Sequence, residues 1–403
     1  MNNYNFQIEM ECPQCGAPVV LYETECIIQC HFCRTRHILK SFPYPCYYIA
    51  PGQDDKYAGL QVAYVPYWRF KGLEFTLGGP QSNFRIIDHS YLAVNNNGLP
   101  ASLGLRSQTQ KLKFIQKGIT GSFLPPAIAR KDILQQIAGK RDQKAYIGEI
   151  LSLIFMPVYQ DADIVYDGLS GKKIAIHPSE LLANKQSPAI HLDFTPALCP
   201  NCGWDLKGKT DSFVLSCNNC TNFWLVHNTK LNKITPLFYG IGPQTDILLP
   251  FWQFQIESRT INCSTHAHLI TMANLSKKIR KTDEIKPLYF YIPAFKINPK
   301  LFLRIGSQTT LAQIEPAKVT KQPTTDLHPA GLSMDEGFQA VLPLLLDLCT
   351  HKKETWNLLR NEKPKLISFH LVYLSFHTAG NELIQDNLGV ALPANALRFG
   401  RKL

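Results

Sequence analysis

Eight of the twelve cysteines fall into two groups with one internal geometry. Cys12-Pro13-Gln14-Cys15-Gly16 is followed by Cys30-His31-Phe32-Cys33, and Cys199-Pro200-Asn201-Cys202-Gly203 by Cys217-Asn218-Asn219-Cys220, with fourteen residues between the inner cysteines of each group. A Cys-x-x-Cys turn offers two soft thiolates on one tight loop, and two such turns brought together by a short hairpin complete a tetrahedral Zn2+ shell. Proline after the first cysteine fixes φ, and glycine after the second can take the positive φ that closes the loop. The second turn of each group lacks that glycine. The expected chemistry is metal binding, with one Zn2+ held by Cys12, Cys15, Cys30 and Cys33 and another by Cys199, Cys202, Cys217 and Cys220. Four protein ligands close the shell and leave no position for a substrate water, so both sites read as structural. Such binding contributes about 10–16 kcal/mol, enough for the metal to decide whether a small module folds.

Other chemistries fit the residues less well. A redox Cys-x-x-Cys normally occurs once, opening a helix that lowers the thiol pKa, and four copies in matched pairs do not suit it. His31, His37 and His227 lie close in sequence, but a complete cysteine set leaves them no ligand role. Cys26, Cys46, Cys263 and Cys349 have no partner pattern and read as buried apolar side chains. Gly168-Leu169-Ser170-Gly171-Lys172 lacks the spacing of a phosphate-binding loop and reads as a hairpin turn. His266 and His268 would share a face of a strand, with no carboxylate cluster nearby to complete a second metal shell. No nucleophile elbow or paired-carboxylate motif stands out, so the balance leans against an enzyme; a site assembled from distant residues stays open.

With their CPxCG turns, the segments around residues 10–38 and 197–226 resemble the zinc-ribbon superfamily, in the form common in bacterial and archaeal proteins. The resemblance implies the ribbon fold and the metal. It implies no activity, because ribbons serve nucleic-acid binding, protein contacts and plain structural support. The chain also resembles poorly characterised bacterial double-ribbon proteins in which a VPYW or LPFW strand follows a ribbon.

The elements that must position these cysteines repeat as well. Val65-Pro66-Tyr67-Trp68-Arg69-Phe70 follows the first group and Leu249-Pro250-Phe251-Trp252-Gln253-Phe254 the second. Ser107-Gln108-Thr109 parallels Ser307-Gln308-Thr309, and the segment from Leu153 to Tyr159 parallels that from Leu371 to His377. The displacement runs from 187 residues at the cysteines through 184 and 200 to 218, in preserved order. The fold class expected is β-rich α+β: two tandem copies, each a four-cysteine zinc ribbon followed by a larger β-rich domain with a central helix. The boundaries expected are 1–40 and 197–228 for the ribbons, and 41–185 and 229–403 for the larger domains. Residues 58–77 and 246–261 alternate like strands covered on one face, with Pro66 and Pro250 at a strand start or edge and both tryptophans in the core. Helices are expected over about 126–139 and 334–349. Ser333 to Glu336 has the capping-box form, and Pro343 should kink or split the second helix. Terminal hairpins are expected over 151–176 and 367–392.

No apolar run reaches the roughly 18–20 residues needed to span a bilayer, and the N-terminus lacks a basic-then-apolar leader. Together with thiolate ligands this points to the cytoplasm. The net charge is +11, and most of the excess follows residue 193. Basic residues cluster at Lys277-Lys278-Ile279-Arg280-Lys281, at Lys352, Lys353, Arg360, Lys363 and Lys365, and at Arg398, Arg401 and Lys402. The leading expectation is a non-enzymatic zinc-binding scaffold or adaptor that contacts protein partners. The alternatives are nucleic-acid binding through the basic second copy, and an enzyme with an unrecognised site.

Overall fold

The Pro-x-Trp-x-Phe segments lie in two long strands, Gln61–Thr76 and Ile247–Glu257, around which two sheets are built. The computed structural model describes residues 6–42, 44–51, 59–76, 83–104, 112–115, 119, 121–129, 144–182, 191–227, 230–319, 323, 325–359 and 364–399. Strand outweighs helix, 43% to 18%, so the protein is of mixed α+β type and β-rich.

Each long strand runs antiparallel to the strand that closes its half, Lys144–Asp161 or Lys365–Ala379. Trp68 stands opposite Leu153, and Trp252 opposite Leu371. The closing strand takes a parallel neighbour, Cys46–Ile49 or Leu237–Tyr239, with Ile154 opposite Tyr47 and Val372 opposite Leu237. On the other side of the long strand lies Asn83–Leu92 or Phe290–Pro293, with Tyr91 opposite Trp68 and Ile292 opposite Trp252. A two-residue strand, Ser122–Phe123 or Asp326–Leu327, adds a parallel pairing at Ala63 or Ile247. The terminal hairpins also agree: Gln160 faces Val165 as Thr378 faces Leu383, and Val165 faces Ile174 as Leu383 faces Leu392. A bulge interrupts the long ladder between Gly148 and Ile150 in one half and between Leu366 and Ser368 in the other, which is the same 218-residue displacement as Leu153 to Leu371.

Both prolines lie inside these strands, not at their starts, and the ladder explains why. In a strand the N–H and C=O of one residue point to the same neighbour. The Pro66 carbonyl accepts from Ala93 N at 2.9 Å and the Pro250 carbonyl from Ala294 N at 2.9 Å. The missing amide therefore faces the side where the two-residue strand has ended and the antiparallel neighbour has only begun. Neither proline interrupts a ladder bond.

The expectation of strands covered on one face is corrected. Both long strands are buried on both faces, because polar residues that looked solvent-facing are themselves enclosed and paired. Arg69 bonds Glu23 and Asp88, Glu74 accepts from Arg85 and Tyr146, and Gln253 donates to the Tyr291 hydroxyl. Alternate residues thus feed different cores: Val65 and Tyr67 pack with Ile8, Met10 and Ile154, while Tyr64 and Trp68 pack with Cys46, Leu153 and Phe155. The indoles are core groups with satisfied donors, Trp68 Nε1 to Ile128 O at 2.8 Å and Trp252 Nε1 to Leu332 O at 3.0 Å.

Of the expected helices, 126–139 lies outside the described residues from 130 onward, and 126–129 is not helical. The expected helix at 334–349 is two helices, Met334–Gln339 and Val341–Leu348. Pro343 sits in the first turn of the second, where its absent amide is not needed, and the first ends at Gln339, whose carbonyl the proline could not have bonded. The capping box is present, Ser333 N to Glu336 Oε2 at 2.9 Å and Glu336 N to Ser333 Oγ at 3.2 Å. Ser307-Gln308-Thr309 lies in helix Pro299–Ala312, while Ser107-Gln108-Thr109 falls outside the described residues. His266 and His268 are on helix His266–Met272 rather than a strand, and His268 Nδ1 accepts from the Thr265 amide at 3.2 Å as part of its N-terminal cap. Gly168 to Lys172 is a turn closed by Gly171 N to Asp167 O at 2.8 Å.

The halves share buried surface. Phe75 and Ile147 belong to the same core as Trp252, Phe254 and Leu332, and Gly148 N donates to Gln339 Oε1 at 2.8 Å. Trp252→Phe, which removes the indole donor to Leu332, should cost about 1–3 kcal/mol; a shift in the urea midpoint of the metal-loaded chain measures it.

Candidate metal centres

Both quartets grow from the same backbone turn. Gly16 N donates to Cys12 O at 2.9 Å and Gly203 N to Cys199 O at 2.8 Å, while Cys12 N reaches Ala17 O and Cys199 N reaches Trp204 O. Gly16 and Gly203 have φ of 71° and 74°, as the loop requires. In the second turns that conformation is taken without glycine, by Arg34 at φ 61° and Thr221 at φ 54°. Hairpins fix the spacing: Ile27 pairs with Ile38 in the first ribbon and Val214 with Leu225 in the second.

The eight expected ligand residues come together in two quartets, each with all four sulfurs within 4.8 Å of one another. Cys12 and Cys33 Sγ are 3.7 Å apart, as are Cys15 and Cys30, while Cys199 to Cys220 and Cys202 to Cys217 are 3.5 Å. A tetrahedron of Zn–S bonds of about 2.3 Å has edges of about 3.8 Å, which these distances approach, whereas a disulfide needs about 2.0 Å. None of the twelve cysteines is joined in a disulfide. Each quartet can hold a metal ion, and neither includes His31, His37 or His227.

The thiols of each quartet pull against one another. The Thr35 hydroxyl and amide hold Cys33 down at about 6. At Cys220 burial is outweighed by the Asn222 amide and the neighbouring thiols, and this thiol also falls to about 6. Burial is likewise outweighed at Cys12 by the Gln14 and Cys15 amides, and the Asn219 side chain and Trp204 amide lower Cys202. Cys15 moves the other way, to about 11, since the Ala17 amide is overcome by burial and three neighbouring thiols. Burial first, then the Cys202 thiol, raises Cys217 to about 11. Opposed shifts are what four acids crowded into one site produce, and a divalent cation at their centre removes the conflict by favouring every thiolate.

Two supporting residues were not singled out as such in the sequence. Thr35 Oγ1 lies 2.9 Å from Cys33 Sγ and 3.2 Å from His37 Nε2, and Asn222 Nδ2 donates to Cys220 Sγ at 3.2 Å. Each stands two residues after the last cysteine of its group, a repeated polar position that was the available signal.

The first ribbon is fastened to the body through charge. Buried Glu23 accepts from Phe6 N and from Arg69, and the Arg69 guanidinium lies 4.2 Å from the Phe6 ring centre. Against burial, Glu23 and Asp88 hold that guanidinium charged. The second ribbon meets its body at Phe213 N to Ala330 O, 2.9 Å. The remaining cysteines read as apolar are mostly so: Cys46, Cys263 and Cys349 are buried, while Cys26 is partly exposed with its thiol 3.3 Å from Ser212 O.

Comparison with protein-family models, curated proteins and solved structures returned no match. The geometry of the two quartets therefore carries the functional argument alone.

Because an added Cβ at Gly203 meets nothing within 4 Å, Gly203→Ala tests backbone strain alone and should destabilise the second ribbon by about 1–2 kcal/mol. Thr221→Gly should act in the opposite sense, by about 0.5–1 kcal/mol. Thermal midpoints of the metal-loaded proteins should fall for the first and rise for the second.

Proposed function

We propose that the chain is a non-enzymatic scaffold or adaptor in which two structural four-cysteine zinc ribbons, at about 1–40 and 197–228, stiffen a tandemly repeated β-rich body that contacts other proteins. The observation that carries this reading is the pair of closed sulfur quartets, with sulfur contacts of 3.5–3.7 Å and no histidine or carboxylate among the ligands. A shell complete in thiolates suits Zn2+ and leaves no open coordination position for chemistry. The tandem arrangement, with larger domains at about 41–185 and 229–403, is supported by the pairing registers and the bulge at a constant 218-residue displacement. It is supported too by the equivalent indole bonds of Trp68 and Trp252.

A catalytic reading would gain from a deep polar pocket remote from the quartets. A groove of about 570 Å³ lined by Lys207, Lys209, Asn218, Thr221 and His328 borders the second quartet's turn, whereas a polar one of about 290 Å³ lined by Gln244, Thr245, Ser375, His377 and Asp386 lies away from both quartets. No helix among the described residues is long and apolar enough to cross a membrane. A reducing compartment such as the cytoplasm suits the free thiols.

Nucleic-acid binding is the second reading, favoured by one observation: Lys277, Lys278, Arg280 and Lys281 are all exposed in one run, in which Lys277 pairs with Asp283 at 3.3 Å. Binding there would weaken steeply with salt. Absence of any gel shift with DNA or RNA at low salt would remove this reading.

Elemental analysis of gently purified protein should return two zinc atoms per chain. A value below about 1.5 would count against both quartets being filled. Native affinity purification should recover protein partners in a salt-tolerant complex.

A further inference from the structure

The two quartets are built into one unit by a strand that changes sides. In the first half, strand Gln7–Glu11 leads into Cys12 and lies parallel to Leu112–Phe114 of its own body, with Ile8 opposite Leu112. The segment leading into Cys199, His191–Pro196, does not do this in the second half. It pairs along Arg36–Phe42 of the first ribbon, with Pro196 opposite His37, and Ala197 N continues to Arg36 O at 2.9 Å. The second body offers a poor substitute edge: Pro316 and Lys318 flank Ala317, which bridges Phe238, so one amide is missing and a charge stands beside it.

Three further contacts hold the second ribbon to the first. Arg36 donates from both terminal nitrogens, to Leu206 O at 2.7 Å and Gly208 O at 2.6 Å, just beyond the second quartet's first turn. The Cys26 and Ile27 amides both donate to Thr210 O at 2.9 Å, and Thr210 Oγ1 donates to Glu25 Oε1 at 2.6 Å. Ile27 and Ile38 of the first ribbon share one buried cluster with Leu206, Leu215, Trp224 and two ligand residues of the second, Cys199 and Cys217.

From this arrangement we infer that the two metal sites are thermodynamically coupled, with Arg36 of the first ribbon acting as a positioning residue for the second quartet. The inference rests on the zinc reading above. A filled first quartet fixes Cys30 and Cys33, and with them Arg36 and the Ile27–Ile38 hairpin. That hairpin and guanidinium hold the backbone from which Cys199, Cys202 and Cys217 project. When the first site empties, the second loses this part of its support before it loses a ligand. Coupling between binding sites is reciprocal, so emptying the second quartet must loosen the first by the same factor in affinity.

The test uses the full chain loaded with zinc. Release to a fluorescent chelator is followed for the wild type, for Cys12→Ser/Cys15→Ser, and for Arg36→Met, which keeps all eight cysteines. Alkylation of each cysteine is mapped by mass spectrometry in parallel. Arg34→Met, two residues nearer the first quartet's exposed tip, serves as control. In Cys12→Ser/Cys15→Ser the remaining zinc should leave at least tenfold faster than the slower zinc of the wild type. In Arg36→Met, Cys199, Cys202, Cys217 and Cys220 should become alkylated at least tenfold faster, with acceleration at the first quartet as well and none in the Arg34→Met control. Wild-type stoichiometry of two with unchanged release in both variants would overturn the coupling and leave the zinc reading intact. An equal acceleration in the Arg34→Met control would also overturn it, since that indicates general loosening. A wild-type chain that never holds more than one zinc sinks the underlying reading and the coupling together.

Discussion

A segment of about thirty residues cannot enclose enough apolar surface to hold itself folded, so each ribbon depends on making four sulfurs converge. That convergence is costly without a central charge, because crowded thiols resist shared ionisation. The local chemistry of both ribbons answers this demand. Proline sets the approach, a left-handed residue closes each turn, and amides, a hydroxyl or a carboxamide face the sulfurs. Arg34 and Thr221 take a left-handed backbone that disfavours them, the conformation that Gly16 and Gly203 take in the first turns. A metal held by either quartet, worth about 10–16 kcal/mol, would offset such strain easily.

Beyond the ribbons the fold rests on aromatic strands buried on both faces. Such a strand must satisfy every polar group it carries inside the protein. The first half does so with charge, through Glu23, Arg69 and Asp88, and the second with the neutral pair Gln253 and Tyr291. The same scaffold thus tolerates ionic and amide solutions at one position of the ladder. The ionic version also reaches Glu23, which ties the first cysteine segment to its body, while the second packs Val214, Phe223 and Leu225 into the core of its own.

Much of this was legible in the residues. The grouping of eight cysteines into two quartets followed from their spacing, because four thiols on two turns have few ways to arrange. Hairpins were readable from turn residues, and the capping box of Ser333 and Glu336 from its own local chemistry. Burial of the long strands was misjudged: Arg69 and Gln253 look like solvent-facing residues until their partners, distant in sequence, are in place. The role of Pro66 and Pro250 could not be read locally either, since the gap that accommodates their missing amides is made by strands from elsewhere. Arg36 carries no local signal of its role, because the carbonyls it reaches lie some 170 residues away.

The strand His191–Pro196 makes the chain hard to divide. Cutting before it would strip Arg36–Phe42 of its neighbour and leave an open row of amides and carbonyls beside the apolar side chains of Ile27 and Ile38. Such an edge recruits whatever extended segment is at hand, including the same strand from another molecule. An isolated front half would therefore tend towards aggregation or reciprocal exchange between chains. A chain whose two halves exchange a strand in this way has lost the freedom to be used as parts.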